Sequence, residues 1–283
     1  MARRFSAPYK SEPVSSLARW SRNLAIFSMV AVLVSIVIVR FGFLEMKPAL
    51  ATFFGALACA VLSILVGFAA SAAIWQNGSR GMSRIVLAFL IDAVILAYPA
   101  YLAVQYRKLP PIYDITTNPI DPPRFEALAR LRTGEGTNPA VYAGLYSAEQ
   151  QRLAYPDIET VELEVPAQRA YEVTLQLVTR RKWLVIDERP PQPPRRIGRI
   201  EAVARTPIMG FREDVSIRVT PDGEDSRVDI RSASRYFESD LGSNAARVAK
   251  LIDDINTAVD NAKPAVPKKP QAPAKAQAKT VKK

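Results

Sequence analysis

The sequence predicts an α+β protein: three N-terminal transmembrane helices followed by an antiparallel sheet with two main packing helices. Three observations predict it. Long apolar runs with almost no charge fill residues 23–106. Beyond Tyr155, strands with an apolar residue at every second position are flanked by two stretches with helical apolar stripes. The formal net charge of +11 belongs to the two ends of the chain and not to the part that would fold. Residues 1–22 hold five basic groups against one acid, residues 23–105 four against two, residues 106–262 22 against 24, and residues 263–283 seven Lys and no acid. A near-neutral folded region is not a basic surface that reads nucleic acid, which argues against such a partner.

The first run, Leu24 to Val39, has 16 residues without a charge between Arg22 and Arg40. It is short for a span, but the flanking Arg side chains can snorkel and Phe41, Phe43 and Leu44 can extend it. Arg40-Phe41-Gly42-Phe43 follows in place of the small-x-small site that signal-peptide cleavage needs. Ala49 to Trp75 is the second run. Its Ala51, Gly55, Cys59, Ser63, Gly67 and Ser71 recur every fourth residue, a small-residue row that suits close helix approach within the chain or, as the alternative, between two copies. Ile85 to Tyr106 is the third, with Asp92 at membrane depth and Pro99 near its outer end. An intramembrane acid is a functional candidate by default, and here the competing reading is a protonated or hydrogen-bonded link between helices. Basic residues at positions 3, 4, 10, 19, 22, 80 and 84 place the N-terminus inside and everything after Tyr106 outside. The expected setting is a bacterial inner membrane with a periplasmic C-terminal domain, the lipid bilayer being the first partner.

Leu109 to Pro123 is rich in Pro, Asp, Asn and Thr and cannot be one regular element. Residues 107–154 read as an extended tether with short helices at Phe125–Arg132 and Tyr142–Leu153. The folded domain occupies 155–262. Thr160–Val165 alternates as a strand, Pro166 opens a helix to about Lys182, and Trp183–Ile186 is a strand. Arg189–Arg196 is a Pro-rich turn. Strands follow at Arg199–Arg205, Asp214–Thr220 and Arg227–Arg235, the last two joined by a turn at Pro221–Asp225. Asn244–Asn261 is the closing helix, with Ala245, Val248, Leu251, Ile252 and Ile255 on one stripe. Residues 263–283 are Lys, Pro and Ala with no aromatic, the composition of a disordered cationic arm that anionic lipid or another anionic envelope polymer would attract.

Several runs together are distinctive: Asp229-Ile230-Arg231-Ser232-Ala233-Ser234-Arg235, then Ser239 to Val248, with Tyr155-Pro156-Asp157-Ile158, Gly210 to Val215, Asp114 to Asn118, and Asp121-Pro122-Pro123. On these residues the chain resembles the bacterial family catalogued as domain of unknown function 1499, over about 110–260. Glu213 stands where a second Asp is expected, and Asn118 where Asp is commoner. The family has no established activity, so the resemblance implies domain limits and no chemistry.

Chemistry has few carriers. The chain has no His and one Cys, Cys59, which removes the commonest general base and metal ligand and any intrachain disulfide. No nucleophile elbow, phosphate loop or zinc spacing is present, so no cofactor is expected and an enzyme is the weaker reading. The outward faces of the last three strands are densely charged, which suits either cross-strand pairing on a solvated face or a binding face. In the second case Arg218, Arg231 and Arg235 would clamp an anion, with Asp229 and Ser234 beside them. Asp240 and Asn244 stand where the last helix begins and either cap it or help hold a ligand there. The leading expectation is a membrane-anchored periplasmic module binding a ligand or an envelope protein. The alternatives are an envelope enzyme using Glu201, Asp214 and Asp229, and an accessory subunit of a transport system.

Overall fold

The computed structural model describes residues 13–132, 136–192 and 196–262. The cationic arm 263–283, basic positions 3, 4 and 10, and part of the Pro-rich turn at 189–196 lie outside the described residues. Three helices are long and apolar enough to cross a membrane: α1 (Ser16–Phe41), α2 (Met46–Asn77) and α3 (Met82–Lys108). Ser15 caps α1 by accepting the Ala18 N–H, and Gly42 and Gly78 close α1 and α2 in the left-handed conformation that glycine adopts without a Cβ clash.

The bundle is not built on the four-residue row. Buried positions on α1 are Ala18, Ser21, Ala25, Ser28, Val32, Ser35 and Val39, in alternating steps of three and four. On α2 they are Ala49, Ala56, Ala60, Ser63, Gly67 and Ala70, and on α3 Ile85, Ala88, Asp92 and Ile95, in the same heptad rhythm. That rhythm is the seam of left-handed helix packing. A strict four-residue step advances about 40° beyond a full turn each time, so a six-member row winds through roughly 200°. Ala51 and Gly55 accordingly face outward, Cys59 and Ser71 are half-buried, and only Ser63 and Gly67 sit in the seam. Ser21 and Ser63 lock α1 to α2 reciprocally, each hydroxyl donating to the other residue's carbonyl, at 3.1 and 2.9 Å. A Cβ on Gly67 would stand 2.4 Å from Phe89 Cε1 and 3.0 Å from Ser21 Oγ. Gly67→Leu is therefore expected to overpack the seam by ~1–3 kcal/mol and lower the Tm of the detergent-solubilised full chain; an unchanged Tm would mean the helices do not approach here.

The remainder forms one sheet of β1 (Asp114–Thr116), β2 (Val161–Leu163), β3 (Leu184–Arg189), β4 (Gly198–Arg205), β5 (Arg212–Asp222) and β6 (Asp225–Ser234). The order is β1-β6-β5-β4-β3, with β2 also on β6, and every pairing is antiparallel. The expected strands, turn and closing helix are present, with α5 (Ala167–Arg180) and α6 (Ser243–Ala262) on one face. Ile200, Ala202, Val215, Ile217, Val228 and Ile230 pack there against Ala170, Val178, Val248 and Leu251. Leu109–Pro123 is not one regular element, and within it the extended chain forms the three-residue β1. The helix expected at Phe125–Arg132 is a single 3-10 turn, Leu128–Leu131, and that at Tyr142–Leu153 is α4 (Leu145–Ala154).

The domain sits on one end of the bundle. Arg40, at the end of α1, donates to the Pro207 carbonyl (2.8 Å), and Arg205 donates to the Arg40 carbonyl (2.9 Å). At the other end, Ser15 N–H donates to the Arg80 carbonyl (2.9 Å), which gathers the N-terminal segment and the α2–α3 loop together.

Candidate functional site

The charged sheet face expected to meet solvent is covered. Residues 119–132 and 136–142 lie over it as a strap, anchored by Phe125 and Leu128 against Val203 and Ala233. Beneath it, Arg231 is 2% exposed and grips the fully buried Asp114 of β1 with both arms of its guanidinium, at 2.9 and 2.7 Å. Its remaining N–H groups donate to the carbonyls of Pro123 and Ala140, and its plane stacks over Phe125 at 4.3 Å. Arg235 grips Asp214 in the same way (2.9 and 2.8 Å) and donates to Leu131 O. Arg132 of the strap also donates to Asp214, at 2.8 Å. Glu201 accepts the backbone N–H groups of Glu126 and Leu128, both at 2.8 Å, so a strand carboxylate caps the 3-10 turn. Burial pushes the Asp114 carboxyl above its ordinary range, against the opposing pull of Arg231.

The candidate residues therefore fall in separate places. Arg231 and Arg235 are filled by internal carboxylates. Arg218 pairs with Asp229 and with strap residue Asp121, each at 2.7 Å, and Thr160 donates to the other Asp229 oxygen. Ser234 and Asn244 meet at the start of α6, where Asn244 donates to Ser234 Oγ and to Tyr113 O. Ser234 and Ser243 both donate to Glu213, and Arg247 pairs with the same carboxylate. Asp240 accepts the N–H groups of Gly242 and Asn244 (2.9 and 2.7 Å) and so caps the helix. Burial is the main cause that raises the Asp240 carboxyl. An acid that holds its proton more tightly when folded makes stability fall as pH rises from about 4 through its folded value. Asp240→Asn, which keeps one acceptor, should flatten that part of a Tm-against-pH profile; an unaltered profile would refute the assignment.

Sequence reasoning missed Asp114 and Arg132 as partners of the lattice and Glu213 as the hub at α6. It also missed a large concave surface. β1 pairs with residues 231–233 of β6 and β2 with residues 226–228, so the sheet edge is broken between them. Thr117 bridges the break, its N–H donating to Ile230 O (2.9 Å) and its hydroxyl accepting from Ile230 N–H (2.8 Å). Gln151 of α4 closes the β1 edge by pairing both the N–H and the carbonyl of Thr116, at 3.0 and 2.6 Å. Between α4 and the segment leading into β2 lies a groove of about 1050 Å³, with Leu145, Ala148, Glu149 and Arg152 on one wall and Ile158, Glu159 and Thr160 on the other. Glu201, Asp214 and Asp229 do not line it.

Asp92 stands apart in the bundle. It is fully buried with Ser63 beside it, and neither carboxyl oxygen has a hydrogen-bond partner among the described residues. No group of three or more acidic or Cys side chains able to hold a metal occurs among the described residues.

These features define a class: a three-helix membrane anchor bearing one α+β domain with a strapped, internally neutralised sheet. The chain belongs to the family described as Protein of unknown function (DUF1499), whose match spans residues 114–255, half of the chain. The match opens on the first residue of β1 and closes within α6, so strap, sheet and groove lie inside it and the membrane helices outside. No curated protein matches the chain.

Proposed function

We propose that the protein is a membrane-anchored binding module whose site is the groove between α4 and the broken sheet edge, displayed on the periplasmic side of a bacterial inner membrane. The groove carries this reading: its volume is that of a small-molecule site, and its walls are hydrogen-bonded to the sheet through Ser147, Gln151 and Thr160. The charged lattice supports the fold instead of presenting free cations to an anion. Orientation rests on the basic residues that precede α1 and occupy the α2–α3 loop, with the domain at the opposite end of the bundle.

One substitution site tests both halves of the proposal. In a Cys59→Ser background, Ala148→Cys should react with a membrane-impermeant maleimide added outside the cytoplasmic membrane; labelling only after lysis would refute the orientation. Ala148→Trp, which fills the groove, should reproduce any envelope phenotype of a deletion while leaving Tm unchanged. A fully active Ala148→Trp protein would refute the groove as the site. The transport-accessory reading is favoured by one observation, the unpartnered Asp92, and full function in Asp92→Asn would end it.

A further inference from the structure

Four charged side chains line the groove: Glu149, Arg152, Glu159 and Glu162. None has an ion-pair partner among the described residues, in contrast to the sheet, where Arg218, Arg231, Arg235, Asp114 and Asp214 are all paired. Three carboxylates and one guanidinium, left unmatched around one concavity, suit a ligand with a cationic and an anionic group close together. Beside them the groove presents apolar surface: Leu145 is 84% exposed and Ile120 98%. This is surface that a soluble domain ordinarily buries and that an acyl chain would cover. The location adds a third constraint. Leu109, the first residue after α3, and the Tyr155 hydroxyl both flank Gly242, at 3.2 and 3.3 Å from where its Cβ would be. Tyr155 also lines the groove, so one end of the groove lies next to the point where the chain leaves the bilayer.

We propose that the groove binds a zwitterionic amphiphile of the adjoining leaflet, an aminophospholipid. Its ammonium is held by Glu149 and Glu159, its phosphate by Arg152, and its acyl chain lies along Leu145 and Ile120. This rests on the groove being the binding site. The net negative lining disfavours a purely anionic lipid, and a quaternary ammonium has no N–H to donate to the carboxylates, so phosphatidylcholine is the weaker ligand.

The test uses the full chain in nanodiscs of phosphatidylethanolamine, phosphatidylglycerol and phosphatidylcholine in equal parts, followed by detergent exchange and mass spectrometry of the lipid retained. Phosphatidylethanolamine should be retained at about tenfold over each of the others, the ~1.4 kcal/mol scale of one charge-assisted hydrogen bond. Glu149→Lys and Arg152→Glu, both at exposed positions on α4, should each erase the preference at unchanged Tm. Added glycerophosphoethanolamine should not displace the lipid at equal concentration; equal displacement would make the headgroup alone the ligand and overturn the lipid assignment. Equal retention of all three lipids, or of none, would also overturn it. The groove reading would survive that result if Ala148→Trp still abolished function, and would fall with it if Ala148→Trp were silent.

Discussion

Arg231→Ala is expected to destabilise the domain by ~3–5 kcal/mol, the usual cost of breaking a buried ion pair from one side. For a domain of about 150 residues that is a fall in Tm of about 10 °C. The substitution removes two donors from the fully buried Asp114 and leaves the carbonyls of Pro123 and Ala140 without their guanidinium contacts. It also strips the face of Phe125, so the strap loses polar and apolar anchors together. Burial already raises the Asp114 carboxyl, and without Arg231 that push loses its main opposition. In the variant, folding then takes up a proton more readily than the unfolded chain does. Its stability should fall as pH rises above about 4, more steeply than in the parent. Replacing both partners, Asp114→Leu with Arg231→Met, should recover much of the loss, because no uncompensated charge remains. Thermal denaturation of the full chain in detergent across pH checks all three points. A single variant as stable as the parent would mean that Arg231 and Asp114 are not a buried pair.

How much of this was legible in the sequence depends on whether the signal is local. The membrane runs and the strands from Gly198 to Ser234 were readable, because hydropathy and period-two alternation are properties of one segment. The seam of the bundle was not, because α2 is rich in small residues at both four-residue and heptad spacing, and only the partner helices choose between them. The cover over the charged strand faces was not legible, because nothing in the strands reveals it. The cover is a Pro-rich segment with no period, whose two apolar anchors, Phe125 and Leu128, match residues far along the chain. Helix α4 was legible as a helix at Tyr142–Leu153, but the face it buries was not, for a related reason. It buries Ser147 and Gln151, which satisfy β1, and leaves Leu145 and Leu153 outside. An inverted helix of this kind is a local rule broken at the place where the groove lies, as expected of a functional site.

Asp214→Ala should cost at least as much as Arg231→Ala, because it orphans two cations instead of one anion. Asp214 is fully buried between Arg235, which reaches it from just beyond β6, and Arg132, which reaches it from the strap. With the carboxylate gone, two guanidiniums with side-chain exposures of only 3% and 5% face each other, so desolvation and like-charge repulsion add. A loss of ~4–5 kcal/mol is expected, with Asp214→Asn milder because one acceptor oxygen remains. The damage should begin locally. Arg132 is one of the strap's ties to the sheet, and its release frees the backbone around Arg124, Arg130 and Arg132 to enter trypsin before the helix-backed core opens. Limited proteolysis of the full chain should therefore give early cleavage within the strap in Asp214→Ala and not in the parent, at temperatures where α5 and α6 remain protected. Simultaneous loss of all elements would show that strap and core unfold as one unit. The local outcome also bears on the proposed groove: Ser147 and Gln151 hold α4 to β1 of the sheet, so the groove should outlast release of the strap.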